Sequence, residues 1–182
     1  MNLNFPMLLK GQRNRFTKVL SPNYMVEKKP RILIAGVGNE LRKDDGFGPA
    51  VVRELLNAVD AKLFEADVID FGQRLHELLL KLKEYDVVVI VDAIEGEGEP
   101  GDIYVIHPED VCNSRAVGLN FHDADLKELI ALGDKMGVLP EKVYVVGCHP
   151  EDVSWGVGLT PVVAEKIATV LELIHKIIKS YV

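Results

Sequence analysis

The sequence predicts an α/β protein: a three-layer sandwich with a five-stranded, mostly parallel, twisted sheet and helices on both faces. Three observations lead there. Short apolar runs alternate with amphipathic stretches in the order β-α-β-α-β-(β)-α-β-α. The run Val87-Val88-Val89-Ile90-Val91 is β-branched and apolar on both faces, as a central parallel strand requires. The length, 182 residues, suits one domain with one substantial core.

The folded domain is expected over residues 30–182. Ile32-Leu33-Ile34-Ala35 is a buried strand stopped by the turn Gly36-Val37-Gly38-Asn39. A helix over Pro49–Asn57 carries Val51, Val52, Leu55 and Leu56 at helical spacing. Ala66–Asp70 is the second strand and Arg74–Lys83 a leucine-rich helix. The third strand is Asp86–Val91, ended by Asp92; a polar loop runs from Glu95 to Gly101. Ile103–Ile106 reads as an edge strand ended by Pro108. Asp123–Met136 is an amphipathic helix with Leu126, Leu129, Ile130 and Leu132 inward, its cap Asp123 or Asp125. Lys142–Val146 is the fifth strand. Thr160-Pro161 opens the last helix, Thr as N-cap and Pro at the first position, and the helix runs to about Lys179.

Residues 1–29 form a separate basic extension: Lys10, Arg13, Arg15, Lys18, Lys28 and Lys29 face only Glu27. The whole chain is acidic, with a formal charge of −7, which argues against nucleic acid as the main partner. No apolar run reaches the ~18 residues of a membrane span. The start, with Asn2, Asn4 and Pro6, lacks the basic and apolar regions of a secretion signal. These features give a cytoplasmic protein in which Cys112 and Cys148 are reduced; their separation excludes a zinc–thiolate cluster.

Chemistry is sought at the carboxyl ends of the strands, where open α/β sheets place their ligand crevice. Asp45, Asp70, Asp92 and His122 all come after apolar runs. Asp45 lies in Asp44-Asp45-Gly46-Phe47-Gly48-Pro49. Pro49 has no N–H and fits only the first helical turn, which puts the N-cap at about residue 46 to 48 and Asp45 just outside the helix. Asp70 and Asp92 each suit a turn-holding role. Two carboxylates at neighbouring strand ends repel unless a cation or a shared proton compensates, and a histidine completes a donor set for a hard or borderline metal ion. His149, after the fifth strand, is the one competing imidazole near this edge; His76 and His175 fall in helices and His107 near the edge strand.

Other chemistries fail on their motifs. Gly36-Val37-Gly38 begins a dinucleotide fingerprint, but its third glycine is replaced by Leu41, and no phosphate-binding GK[ST] loop exists, so no nucleotide is expected. GxSxG and HExxH are both absent from the sequence.

The stretch Ile34-Ala35-Gly36-Val37-Gly38-Asn39-Glu40-Leu41-Arg42-Lys43-Asp44-Asp45-Gly46-Phe47-Gly48 resembles the amino-terminal signature of the nickel–iron hydrogenase maturation endopeptidases. Val91-Asp92-Ala93-Ile94 resembles their second block, Phe121-His122 matches the position of their histidine, and Gly147 to Pro161 resembles their carboxyl-terminal block. The resemblance spans about residues 31–180. It implies an endopeptidase that removes the carboxyl-terminal extension of a hydrogenase large-subunit precursor after nickel insertion, recognising the substrate-borne nickel. It places the metal contacts on Asp45, Asp92 and His122 and gives Asp70 a supporting catalytic role. Glu40 sits where the family is not acidic and is rejected. Phe71-Gly72-Gln73 replaces the Gly-Gly-Thr-like turn of many relatives, and Cys148-His149 departs from them as well. Attack by metal-polarised water and attack assisted by an aspartate general base both stay open. The alternative is a non-catalytic nickel-binding maturation factor, a metallochaperone, with the same trio.

Overall fold

A computed structural model describes residues 29–57, 66–112, 120–121 and 124–182. Strands β1 (Ile32–Val37), β2 (Ala66–Gly72), β3 (Val87–Glu95), β4 (Ile103–Ile106) and β6 (Lys142–Cys148) form one sheet in the order β2-β1-β3-β6-β4. Pairings among β2, β1, β3 and β6 are parallel; β4 closes the edge antiparallel to β6. A two-residue strand, β5 (Asn120–Phe121), pairs antiparallel with the end of β3 and adds a sixth strand to the five expected.

The helices are α1 (Phe47–Asn57), α2 (Leu75–Leu82), α3 (Pro108–Cys112), α4 (Ala124–Met136), α5 (Pro161–Ala164) and α6 (Lys166–Lys179). They cover both faces. Ile32, Ile34, Val87, Val89 and Val91 pack with Phe47, Val51 and Leu55 of α1 and Val170, Ile174 and Ile178 of α6. Leu33, Ala35, Val88 and Ile90 pack with Leu78 and Leu82 of α2 and Leu126, Leu129 and Ile130 of α4. The alternation of neighbouring β1 and β3 residues between two apolar layers is the period-two signature of a sheet covered twice. Each fully buried aliphatic side chain contributes about 1.5–3 kcal/mol, so β3, buried from Val87 to Ile94, anchors the molecule.

Several expectations need correction. Leu132, expected to point inward, is 47% exposed, because it falls beside the inward stripe of α4 rather than on it. Strands β2 and β3 do not stop at Asp70 and Asp92 but run on to Gly72 and Glu95. Asp92 is therefore inside β3, paired with Gly147, and ladder pairing outweighs the strand-ending tendency of aspartate. Strand β6 likewise runs past Val146 to Cys148. Helix α1 begins at Phe47, so Pro49 is its third residue, directly after a 3₁₀ turn, Lys43–Gly46, that contains Asp45. The last helix is two helices, broken at Glu165, and the Thr160 side chain does not cap it. Pro108 starts a short helix, α3, that its pattern did not disclose. The basic extension up to residue 28 and His122 and Asp123 lie outside the described residues. Among the described residues, no helix is long and apolar enough to cross a membrane.

Candidate active site

The turn after β1 is shaped by two glycines. Gly38 has φ of 127°, and a Cβ there would lie 1.9 Å from the carbonyl oxygen of Asp45. The backbone thus closes tightly, with Asn39 N–H donating to Asp45 O and Asp45 N–H to Arg42 O. Gly48, in the first turn of α1, has Val37 O and Val91 O each 2.3 Å from where its Cβ would be. No side chain fits there. The absence of one lets the amino end of α1 seat directly on the carboxyl ends of β1 and β3. Gly36 and Gly38, which fail as a nucleotide fingerprint, serve this close packing instead: a Cβ at Gly36 would lie 2.6 Å from Gly48 O.

Asp45 and Asp92 arrive at the same edge by these contacts: the 3₁₀ turn packs against β3, and the carbonyl of Val91, one residue before Asp92, touches the start of α1. Both carboxylates are buried, 3% and 5% exposed, a more closed arrangement than the open crevice expected from the sequence. Burial of charge is costly, and groups of this kind persist only with compensating partners. Asp92 Oδ1 accepts the N–H of Ala93 at 2.8 Å, and both residues take part in further polar or electrostatic contacts. Asp70 is different. It is exposed, and its Oδ1 accepts the N–H of Gly72 at 2.8 Å, a local turn that fits a turn-holding role. Its neighbourhood still belongs to this edge, since Gly72 O accepts from Gly38 N–H. The described residues thus bring Asp45, Asp92 and Asp70 to the carboxyl edge of β1, β2 and β3.

His149 directly follows β6, at the same carboxyl edge. Its Nδ1 lies 3.4 Å from the Gly96 nitrogen, in the loop after β3, and 3.4 Å from the Tyr104 hydroxyl of β4. Glu40, rejected on the family pattern, pairs with Arg53 at 2.6 Å. Cys148 is a free, buried thiol; burial first, and then the negative charge of Asp44, push it up to about 12. Burial thus favours the protonated thiol at neutral pH. No group of three or more His, Cys, Asp or Glu side chains able to hold a metal ion occurs among the described residues, a set that excludes His122.

One residue of consequence escaped the sequence pattern: Asp44. Its carboxylate is fully buried and accepts four hydrogen bonds. Glu151 N–H and Asp152 N–H donate to Oδ2 at 2.9 Å, Thr160 N–H to Oδ1 at 2.6 Å, and the Thr160 hydroxyl to Oδ2 at 2.9 Å. Asp44 N–H in turn donates to Asp152 O, and Lys43 Nζ pairs with Asp152. That pairing draws Asp152 well below the usual carboxylate range. The strap over residues 151–160 is therefore clamped onto the turn that carries Asp45. Nothing local marks Asp44 for this role, since its partners are more than 100 residues away; the only hint was that Thr160 stood beside a helix start.

A mostly parallel sheet covered by helices on both faces, with buried carboxylates on its carboxyl edge, defines an α/β protein with an acidic candidate active site. The model of the hydrogenase maturation protease family matches residues 49–177. That stretch contains Asp70, Asp92 and His122, and begins four residues after Asp45. The hydrogenase expression/formation protein HupD of Bradyrhizobium diazoefficiens is 31% identical over 83% of this chain and 79% of its own length. The hydrogenase 2 maturation protease of Escherichia coli is 30% identical over 78% of this chain and 87% of its own. Among solved structures, the hydrogenase maturating endopeptidase HybD of Escherichia coli superposes with a TM-score of 0.70 at 27% identity, covering 82% of this chain and 93% of that one. The maturation protease HycI of Thermococcus kodakarensis gives a TM-score of 0.65 at 26% identity, covering 82% and 92%. The chain belongs to the hydrogenase maturation protease family and is a hydrolase.

Proposed function

We propose that this protein is an endopeptidase that removes the carboxyl-terminal extension of a nickel–iron hydrogenase large-subunit precursor after nickel insertion, in the cytoplasm. The observation that carries the reading is the seating of two buried carboxylates, Asp45 and Asp92, on one sheet edge in a chain of this family. In this reading Asp45, Asp92 and His122 contact the nickel held by the substrate. Two carboxylate oxygens and one imidazole nitrogen suit nickel and would equally take zinc or cadmium. Three protein donors leave coordination positions for the substrate's own ligands.

The protein's part is then mainly placement. Docking on the ion holds the scissile bond at a fixed distance from the acidic edge, and such fixation supplies several kcal/mol of the barrier reduction. One carboxylate at that edge accepts the proton of the attacking water. Asp70, linked to the edge through Gly72 and Gly38, supports its shape rather than taking the proton. Because Asp45 and Asp92 are nearly covered, engagement of the substrate must uncover them.

The test is processing of nickel-loaded and nickel-free precursor by the wild type and by Asp45→Asn, Asp92→Asn and His122→Ala. The wild type releases the tail only from the nickel-loaded form, and each variant loses at least about 100-fold in rate, the scale of a lost proton-transfer or positioning group. Normal processing by all three variants overturns the assignment of the site. Binding of the nickel-loaded precursor without release of its tail identifies the protein as a non-catalytic maturation factor instead.

A further inference from the structure

The strap clamped by Asp44 displays apolar side chains outward. Trp155 is 76% exposed and Val157 83%, although the backbone that carries them is held by several hydrogen bonds. Gly156 N–H donates to Leu41 O at 2.9 Å, Lys43 N–H to Gly156 O at 3.0 Å, and Arg42 Nε to Val153 O at 3.2 Å. Arg42 and Gly156 pair as a parallel bridge, which sets Leu41, itself 58% exposed, in register beside Trp155. Val157 also walls, with Leu159 and Ile167 and the charged Glu40, Lys43, Arg53 and Glu54, a cavity of about 330 Å³ on the outer flank of the 3₁₀ turn. A tryptophan held in water on a firmly bonded strap is suited to anchor a partner, since Trp dominates the energetics of protein interfaces.

We infer that Leu41, Trp155 and Val157 are the docking surface for an apolar, uncharged face of the precursor protein; this rests on the processing activity proposed for the acidic edge. Three observations select that occupant. The surface adjoins the candidate site: Leu41 and Arg42 lead within four positions to Asp45, and the strap is bonded to that same turn through Lys43 N–H to Gly156 O and Asp44 N–H to Asp152 O. A protein seated there is delivered to the acidic edge. Of the cations beside it, Lys43 is paired with Asp152, Arg53 with Glu40, and Arg42 turns its Nε to Val153 O, so the outward face is left to the apolar side chains. The three side chains present on the order of 400 Å², about half of what each partner contributes to a stable complex. That is too little for a permanent dimer of this chain and appropriate to a substrate that must leave.

The experiment is steady-state processing of the nickel-loaded precursor by wild type, Trp155→Ala, Val157→Asp and, as a control on a distant exposed leucine, Leu80→Ala. Trp155→Ala and Val157→Asp raise KM about tenfold, the effect of losing one interface anchor, and leave kcat within about twofold. The ratio of the Trp155→Ala KM to the wild-type KM stays the same at low and high salt, as an uncharged contact requires. Leu80→Ala behaves as wild type. Unchanged KM in both surface variants, with the wild type active, overturns the docking surface alone. So does a KM ratio that collapses at high salt, or sedimentation showing a stable dimer that Trp155→Ala dissolves. A wild type that leaves the nickel-loaded precursor intact overturns the processing activity itself.

Discussion

Asp44 accepts four hydrogen bonds from inside the protein, and its neighbour Asp45 is read as a ligand for the substrate's metal. The two carboxylates are adjacent in sequence and chemically identical, so composition cannot separate them. Asp44→Asn keeps the shape but turns one acceptor into a donor facing donors. The expected loss is about 2–4 kcal/mol in urea unfolding; a loss under about 1 kcal/mol would show that the clamp is marginal. Thr160→Val, which removes only the hydroxyl donor, costs about 1 kcal/mol by the same measurement. Cys148 gives a second check. Its folded value of about 12 stands above an unfolded value near 9.0, so the neutral thiol is what folding favours. The stability this gives is complete below pH 9.0 and is lost as pH rises toward 12. Iodoacetamide at pH 8 should leave Cys148 unmodified in the native protein and alkylate it fully in urea, as read by peptide mass mapping. Rapid native modification would contradict the burial.

At the scale of elements, the glycines decide how the site is built. Gly48→Ala pushes a methyl into two carbonyl oxygens 2.3 Å away and must shift α1 off the sheet edge. We expect a loss of about 3 kcal/mol or more in stability, with processing lost even at temperatures where the variant is folded. A variant as stable as wild type would mean that α1 is not seated as described. The strap has its own signature in acid. Asp152 is held low first by its hydrogen bond from Lys43, so its contribution to holding the strap is complete above the unfolded value of 3.8 and is lost as pH falls below it. The single tryptophan, Trp155, sits on that strap and reports the change by its fluorescence.

For the molecule as a whole, the features legible in the sequence were those set by local pattern. The buried run of β3 named the central strand, and the alternation of runs named the layered sheet and its edge strand at Ile103–Ile106. Boundaries slipped where long-range pairing overrode local preference: Asp92 stayed in β3 because Gly147 pairs with it, and α5 and α6 part at Glu165 without a sequence break that periodicity detects. The acidic edge was legible because Asp45, Asp70 and Asp92 come after apolar runs whose carboxyl ends lie on one side of a parallel sheet. Asp44 and the strap were not, because hydrogen bonds spanning more than 100 residues leave no periodic trace.

The proposed activity depends on one ion meeting two acids and an imidazole from three separate segments. Cadmium, a borderline ion that the same donors accept, can be soaked into crystals of the protein and located by anomalous scattering. The expected result is one principal peak within bonding distance of Asp45, Asp92 and His122, lost in Asp92→Asn crystals. A peak bound by other residues, with those three side chains turned away from it, would contradict the assignment.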